Sequence, residues 1–338
     1  MVEKTESRRD IILKKPINFL AEWRPFPLYE LISYVLMYAS VPMLAYGIQS
    51  YDLNIMKIII LTILTMYSGF FAALIWNDIT DADIDTVVHP DRPVPAGTIS
   101  KKKFFAVALV FSAMTFIFAI LVSIWCLILV GAAALFVAFH NKYLKKIIKI
   151  PAYSEIFTPI QWLTVAIFGF LAIWTVLPQS MDIIFELPLF GTISTSNRGI
   201  QNMILLVLFT YFADNAHDLP EGIHDVEGDR RLGVKTYATS FGVKNSAIIS
   251  FFMFFISGIF GILLFINTIL SPVFLIPFLI LWTYILYNSH MFSKNNNEDI
   301  KKMGKIMGRK GFNYLLMSYN LIFLDVILQL INHHFKII

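Results

Sequence analysis

Nine long apolar stretches dominate the chain, at about 28–48, 55–76, 104–122, 124–140, 155–176, 200–217, 246–267, 270–288 and 312–332. Each approaches the roughly 20 residues that carry an α-helix across the hydrocarbon core of a bilayer. Backbone amides inside a bilayer must be satisfied within their own segment, so stretches of this kind are helical. The third and fourth are nearly continuous, with a break expected at Ser123. The stretch 177–199 holds Pro178, Pro188 and Gly191 and reads as an external loop. Charged residues make up 15% of the 338, well below the roughly 25% of a soluble domain. The expected fold is therefore all-α and integral to the membrane. It comprises nine transmembrane helices in a single bundle over 27–338, preceded by a basic cytosolic tail and interfacial segment over 1–26.

The single cysteine, Cys126, excludes an internal disulfide and a cysteine-built zinc site. The tail lacks the short apolar core of a cleaved signal peptide. The net charge of +4 is modest, and no nucleic-acid partner is expected. Its placement is more informative than its size. Of the 27 Lys and Arg residues, 24 fall in the tail or in the segments after spans 2, 4, 6 and 8, leaving Lys57, Arg198 and Lys336. By the positive-inside rule these segments and the N-terminus face the cytosol, most simply across the cell membrane.

Two acidic clusters lie on that same side. Asn77, Asp78, Asp81, Asp83 and Asp85 follow span 2, and Asp218, Glu221, Asp225, Glu227 and Asp229 follow span 6. Asn77, Asp81 and Asp85 are four apart, which puts them on one face of a helix, and Glu221, Asp225 and Asp229 repeat the spacing. Like charges so placed repel, and a cation on that face removes the penalty. Corresponding members of the two sets are all separated by the same interval of 144 residues. Each set follows the second span of a four-span unit. The chain thus reads as two four-helix pseudo-repeats plus a ninth helix, with two half-sites facing each other. Asp83 and Glu227 lie off these faces and read as solvated residues, and Asp78 can be read the same way.

Mg²⁺ is a hard cation that takes oxygen ligands from a few carboxylates, substrate phosphates and water. Asn77, Asp81, Asp85, Asp218, Glu221, Asp225 and Asp229 are the candidate metal ligands, with Asp81, Asp85, Asp225 and Asp229 central to catalysis. Either Asp218 or Glu221 can serve as the outer ligand of the second motif. Two such faces suit a diphosphate leaving group, whose departure produces an allylic carbocation that an apolar, aromatic cavity protects from water. Arg24, Arg92, Lys142, Lys145, Lys146, Arg230 and Lys235 are the candidate diphosphate-binding cations. Positive-inside topology alone also places basic residues there. Glu155, Gln161, Asp325 and Gln329 are polar residues inside spans, where function and helix–helix hydrogen bonding are competing explanations.

At these residues the sequence resembles the UbiA superfamily of intramembrane prenyltransferases. Asn77, Asp78, Asp81 and Asp85 match its NDxxDxxxD signature, followed by Arg92, Pro93 and Gly97. Asp225, Asp229 and Gly233 match the second signature, with Arg230, Lys235 and Thr236 behind it. Tyr143, Lys145 and Lys146 fit the basic element after span 4. The resemblance implies Mg²⁺-dependent transfer of an isoprenyl group from a prenyl diphosphate to a lipophilic acceptor, often aromatic or a quinone precursor. A membrane terpene cyclase would use the same metal site without an acceptor. A cation transporter fits less well, because transporter sites lie near the bilayer midplane.

Overall fold

The computed structural model describes residues 23, 26–80, 82, 86, 92–177, 182–188 and 190–335. The helices are α1 (Leu28–Tyr46), α2 (Leu53–Thr80), α3 (Lys101–Val122) and α4 (Ile124–Phe139). A π-helical turn, His140–Leu144, carries α4 into the short α5 (Lys145–Ile147). There follow α6 (Tyr153–Ile156), α7 (Ile160–Val176), β1 (Ile183–Leu187) and β2 (Gly191–Thr195). The remainder is α8 (Asn197–His224), α9 (Val226–Leu232), α10 (Tyr237–Phe241), α11 (Val243–Asn267), α12 (Pro272–Lys294) and α13 (Asn297–Phe335).

Serine side chains punctuate the bundle. Ser123 is extended (φ −164°, ψ 162°), ends α3, and caps α4 by accepting from the Cys126 amide at 3.2 Å. This is the break expected from the sequence. Ser271 opens α12 and is gripped by Asp325 of α13, which accepts from the Ser271 amide at 2.9 Å. Gln329 donates to the Ile269 carbonyl and to Asp325, both at 2.8 Å. Asp325 and Gln329 therefore tie a loop to a helix.

Among the described residues, eight helices are long and apolar enough to cross a membrane, and the chain is an integral, multi-pass membrane protein. The sixth expected span, 200–217, is also helical within α8, which runs on to His224. It is less apolar than the others because Asp214, Asn215, His217 and Asp218 crowd the C-terminal half of α8. Neighbouring helices compensate: α8 packs against α7, α11 and α13. Each motif-bearing helix, α2 and α8, packs extensively on the next long helix, α3 and α11, in keeping with two related four-helix units.

Two expectations need correction. The 177–199 stretch contains an antiparallel hairpin, from Ile183 paired with Thr195 to Leu187 paired with Gly191. Trp125 at the start of α4 donates to the Gly191 carbonyl at 3.4 Å and packs on Phe185 and Phe190, which gives the hairpin a dock. The basic segment after span 8 is not a loop up to span 9. It is helical from Asn297 onward, so Lys301, Lys302, Lys305, Arg309 and Lys310 all belong to α13.

Candidate active site

The first motif begins in the last turn of α2. The Asn77 Oδ1 accepts from Asn141 Nδ2 at 2.7 Å. Asn141 stands on the π-helical turn, a wound segment of a kind that is rare and often marks functional positions. Asp78 is not a solvated residue: it is 3% exposed, and its Oδ2 accepts from Trp23 Nε1 at 2.6 Å. Arg92 Nη1 lies 3.9 Å from its other oxygen. A buried carboxylate needs such partners, so Asp78 and Arg92 brace the chain around the motif. Arg24, Asp81, Asp83 and Asp85 lie outside the described residues.

The second motif is built differently from the single helical face that its spacing predicts. Asp225 (φ −91°, ψ 4°) ends α8, and α9 starts afresh at Val226, so the Glu221–Asp225–Asp229 face is interrupted at its middle member. The amide of Asp225 still bonds the Glu221 carbonyl at 3.3 Å, and that of Asp229 the Asp225 carbonyl at 3.1 Å. Gly233, at φ 70°, closes α9 in the left-handed conformation that glycine adopts without strain.

Asp218 and Glu221 point to different surroundings. The Asp218 Oδ2 is buried and has no hydrogen-bond partner among the described residues, while its Oδ1 lies 3.4 Å from His217 Nδ1. His217 Nε2 lies 2.8 Å from Asp214 Oδ1. Glu221 instead leans over α13, where a Cβ at Gly308 would overlap its side chain. Asp214 and His217 were not among the sequence candidates. Their signal was present as ionisable residues inside an expected span, which mark functional or buried polar positions.

The cations divide into groups. Lys145 follows the π-helical turn, and its positive charge partly offsets the strain on Asp229. Burial first, and the neighbouring Asp225 second, raise the Asp229 carboxyl to about 6. The π-helical turn thus touches the first motif through Asn141 on Asn77, and Lys145 just beyond the turn favours the ionised form of Asp229. Lys142 lies 5.1 Å from the centre of the Tyr143 ring. Lys146 belongs to α5. The Lys235 carbonyl accepts from the Ser154 amide at 3.1 Å and ties the loop after α9 to α6. Arg230 is exposed and lies 3.6 Å from Glu227, which also receives Lys301 at 2.9 Å. That arrangement keeps Arg230 at the surface. Glu155 accepts from the Tyr237 amide and leans over Gly222 beside the second motif.

Behind the motifs, aromatic rings from several helices meet. Tyr34 of α1 lies 4.5 Å from Phe70 of α2 and 6.1 Å from Trp162 of α7. Trp162 lies 5.8 Å from Phe312 of α13, which in turn lies 5.1 Å from His217. This cluster borders the acidic residues of α8 and supplies ring faces suited to an organic cation. Among the described residues no three acidic, imidazole or thiol groups form a closed metal cage. An all-oxygen donor set with an orphaned carboxylate oxygen on Asp218 fits Mg²⁺, which usually keeps waters and substrate phosphates as partners.

Comparison with known proteins identifies the family. The model of the UbiA prenyltransferase family matches residues 35–308, both motifs included. The chain belongs to the UbiA prenyltransferase family. Its members with solved structures include a UbiA homologue from Aeropyrum pernix K1, which superposes with a TM-score of 0.66 over 90% of this chain and 99% of that one, at 17% identity. The digeranylgeranylglyceryl phosphate synthase of Saccharolobus solfataricus is 26% identical over 170 residues, 50% of this chain and 52% of that protein. The synthase of the same name from Methanobrevibacter smithii is 28% identical over 250 residues, 74% of this chain and 81% of that protein. In the first matches, the chain spans between about half and two thirds of the length of these curated relatives.

Proposed function

We propose that this UbiA-family protein is a Mg²⁺-dependent prenyltransferase that works at the cytosolic side of the cell membrane. It transfers an isoprenyl group from a prenyl diphosphate to a lipophilic acceptor. The observation that carries the reading is the pair of oxygen-bearing motifs, with Asn77 of the first held by Asn141 on the π-helical turn and the buried Asp218 Oδ2 beside the second left without a hydrogen-bond partner among the described residues.

Asn77, Asp81 and Asp85 on one side, and Asp218, Asp225 and Asp229 on the other, would hold the metal. Asp218 rather than Glu221 would be the outer ligand, because its buried Oδ2 lacks a hydrogen-bond partner among the described residues. When bound, Mg²⁺ supplies charge neutralisation for the departing diphosphate. Lys145 adds a fixed positive charge on the same side. The allylic C–O bond breaks with both electrons leaving on the diphosphate. Tyr34, Phe70, Trp162 and Phe312 exclude water from the cation and stabilise it through their ring faces. An acceptor hydroxyl then forms the new C–O bond as its proton passes to the diphosphate.

The names of the curated relatives favour a glyceryl phosphate lipid over an aromatic or quinone-precursor acceptor. The test supplies purified protein with geranyl, farnesyl or geranylgeranyl diphosphate, with Mg²⁺ or EDTA, and with geranylgeranylglyceryl phosphate or an aromatic acceptor. A Mg²⁺-dependent adduct of the glyceryl phosphate is the expected product. A terpene formed without any acceptor makes the protein a cyclase, and an aromatic adduct alone overturns the acceptor assignment.

A further inference from the structure

Lys305, Arg309 and Asn313 recur every four residues along α13 and share one face of that helix. With Ile306, Lys310 and Glu221 they line a cavity of about 500 Å³ at the cytosolic end of the bundle. The cations in this cavity are differently engaged. Arg309 is fixed by ion pairing to Glu30 and by donation to the Tyr29 hydroxyl at 2.9 Å. Lys310 donates to Asn288 Oδ1 at 2.7 Å and makes no ion pair among the described residues, and Lys305 makes none either. Asn313 also lines the cavity, and its Oδ1 is buried without a hydrogen-bond partner among the described residues.

Topology accounts for the sign of these charges, since cytosolic segments are basic. It does not account for their concave placement, nor for an orphaned amide beneath them. Two ammonium groups without carboxylate partners suit a phosphate monoester, whose oxygens take charge-assisted hydrogen bonds. An unsatisfied carbonyl oxygen suits a hydroxyl donor. Asn313 lies one helical turn farther along α13 than Arg309 and next to Phe312 of the aromatic cluster. Glu221 on the opposite wall lies one turn from Asp225.

We propose that this cavity receives the acceptor: Lys305 and Lys310 bind its phosphate at the cytosolic mouth, and Asn313 Oδ1 receives its glycerol hydroxyl beside the aromatic cluster. This rests on the glyceryl phosphate reading of the acceptor. It makes α13 the helix that distinguishes a phosphate-bearing acceptor from a neutral one.

The decisive experiment is isothermal titration calorimetry of the purified protein with geranylgeranylglyceryl phosphate and with the corresponding phosphate-free geranylgeranylglycerol. The wild-type protein is expected to prefer the phosphate by about tenfold or more, as charge-assisted hydrogen bonds require. Lys305→Ala/Lys310→Ala is expected to erase that preference, and Lys305→Arg to retain it, with thermal unfolding verifying that each variant is folded. Equal binding of both lipids by the wild type, or a preference that survives in the double variant, overturns the proposal. Competition by phosphatidylglycerol vesicles at similar affinity also overturns it, because the occupant is then a bulk headgroup. A phosphate preference that is lost in the double variant, with no turnover of either lipid, overturns the acceptor assignment and leaves the donor chemistry of the protein standing.

Discussion

Asn141 donates to Asn77 across 2.7 Å, joining the π-helical turn after the fourth membrane helix to the end of the second. The bond fixes the carboxamide of Asn77 at the start of the first motif. A metal ligand oriented by a neighbour is held in register for its ion. Asn141→Ala is expected to lower diphosphate release at limiting Mg²⁺ by about tenfold, roughly the loss of one hydrogen bond. Saturating Mg²⁺ should recover much of it. A Mg²⁺ titration of release in both proteins reads this out, and identical curves would remove Asn141 from the site.

Asp225→Asn and Asp229→Asn are each expected to depress Mg²⁺-dependent diphosphate release by about 1,000-fold, on the scale of losing transition-state charge stabilisation. Asp218→Asn should fall by at least about 100-fold, while Glu221→Gln should change release less than about fivefold. The contrast between Asp218 and Glu221 is the informative part. The reverse order would make Glu221 the outer ligand.

Asp229 gives the metal-free protein a defined pH response. Its carboxyl is raised to about 6 by burial and by Asp225, above its value in the unfolded chain. Between those two values the folded protein holds a proton that the unfolded chain has released. This contribution to stability is complete below the unfolded value and disappears as pH rises through about 6. In EDTA, the Tm should therefore fall between pH 5 and 7, and Asp229→Asn should flatten that segment. Mg²⁺ should raise the Tm most at the upper end of the range, where the carboxylate is ionised. Differential scanning fluorimetry in detergent follows all three curves.

Gly304 and Gly308 let the last helix approach the eighth closely. A Cβ at Gly304 would overlap the backbone carbonyl of Pro220, which cannot swing aside as a side chain would. Gly304→Ala is expected to destabilise the protein by about 1–3 kcal/mol, the usual range for overpacking. Chemical unfolding of the variant in mixed micelles measures it, and an unchanged midpoint would show that the two helices can separate freely.

The sequence carried the helices and their order because apolar length and the distribution of basic residues are each direct signatures of membrane crossing. The break at Ser123 and the oxygen-rich character of both motifs were legible for the same reason. Three features were not. Four-residue spacing cannot reveal that Asp225 interrupts the helix it was expected to continue. Asp78 is adjacent to the motif residues in the chain, and only tertiary packing brings Trp23 over it. Asn141 carries no charge and matches no spacing rule, although the winding of the π-helical turn brings it to Asn77. The start of the last helix was missed because a run of lysines reads as a loop when only hydropathy marks a span.

The eighth helix has a consequence for how the protein reaches its membrane. An Asp at the centre of an inserting segment costs about 3 kcal/mol, and this helix carries Asp214 and His217 within its span and Asp218 directly after it. Those groups pair with one another along the helix, and their burial depends on neighbouring segments packing around them. Insertion of this helix is therefore expected to be a collective event, in which Asp214, His217 and Asp218 enter lipid together with the helices that bury them.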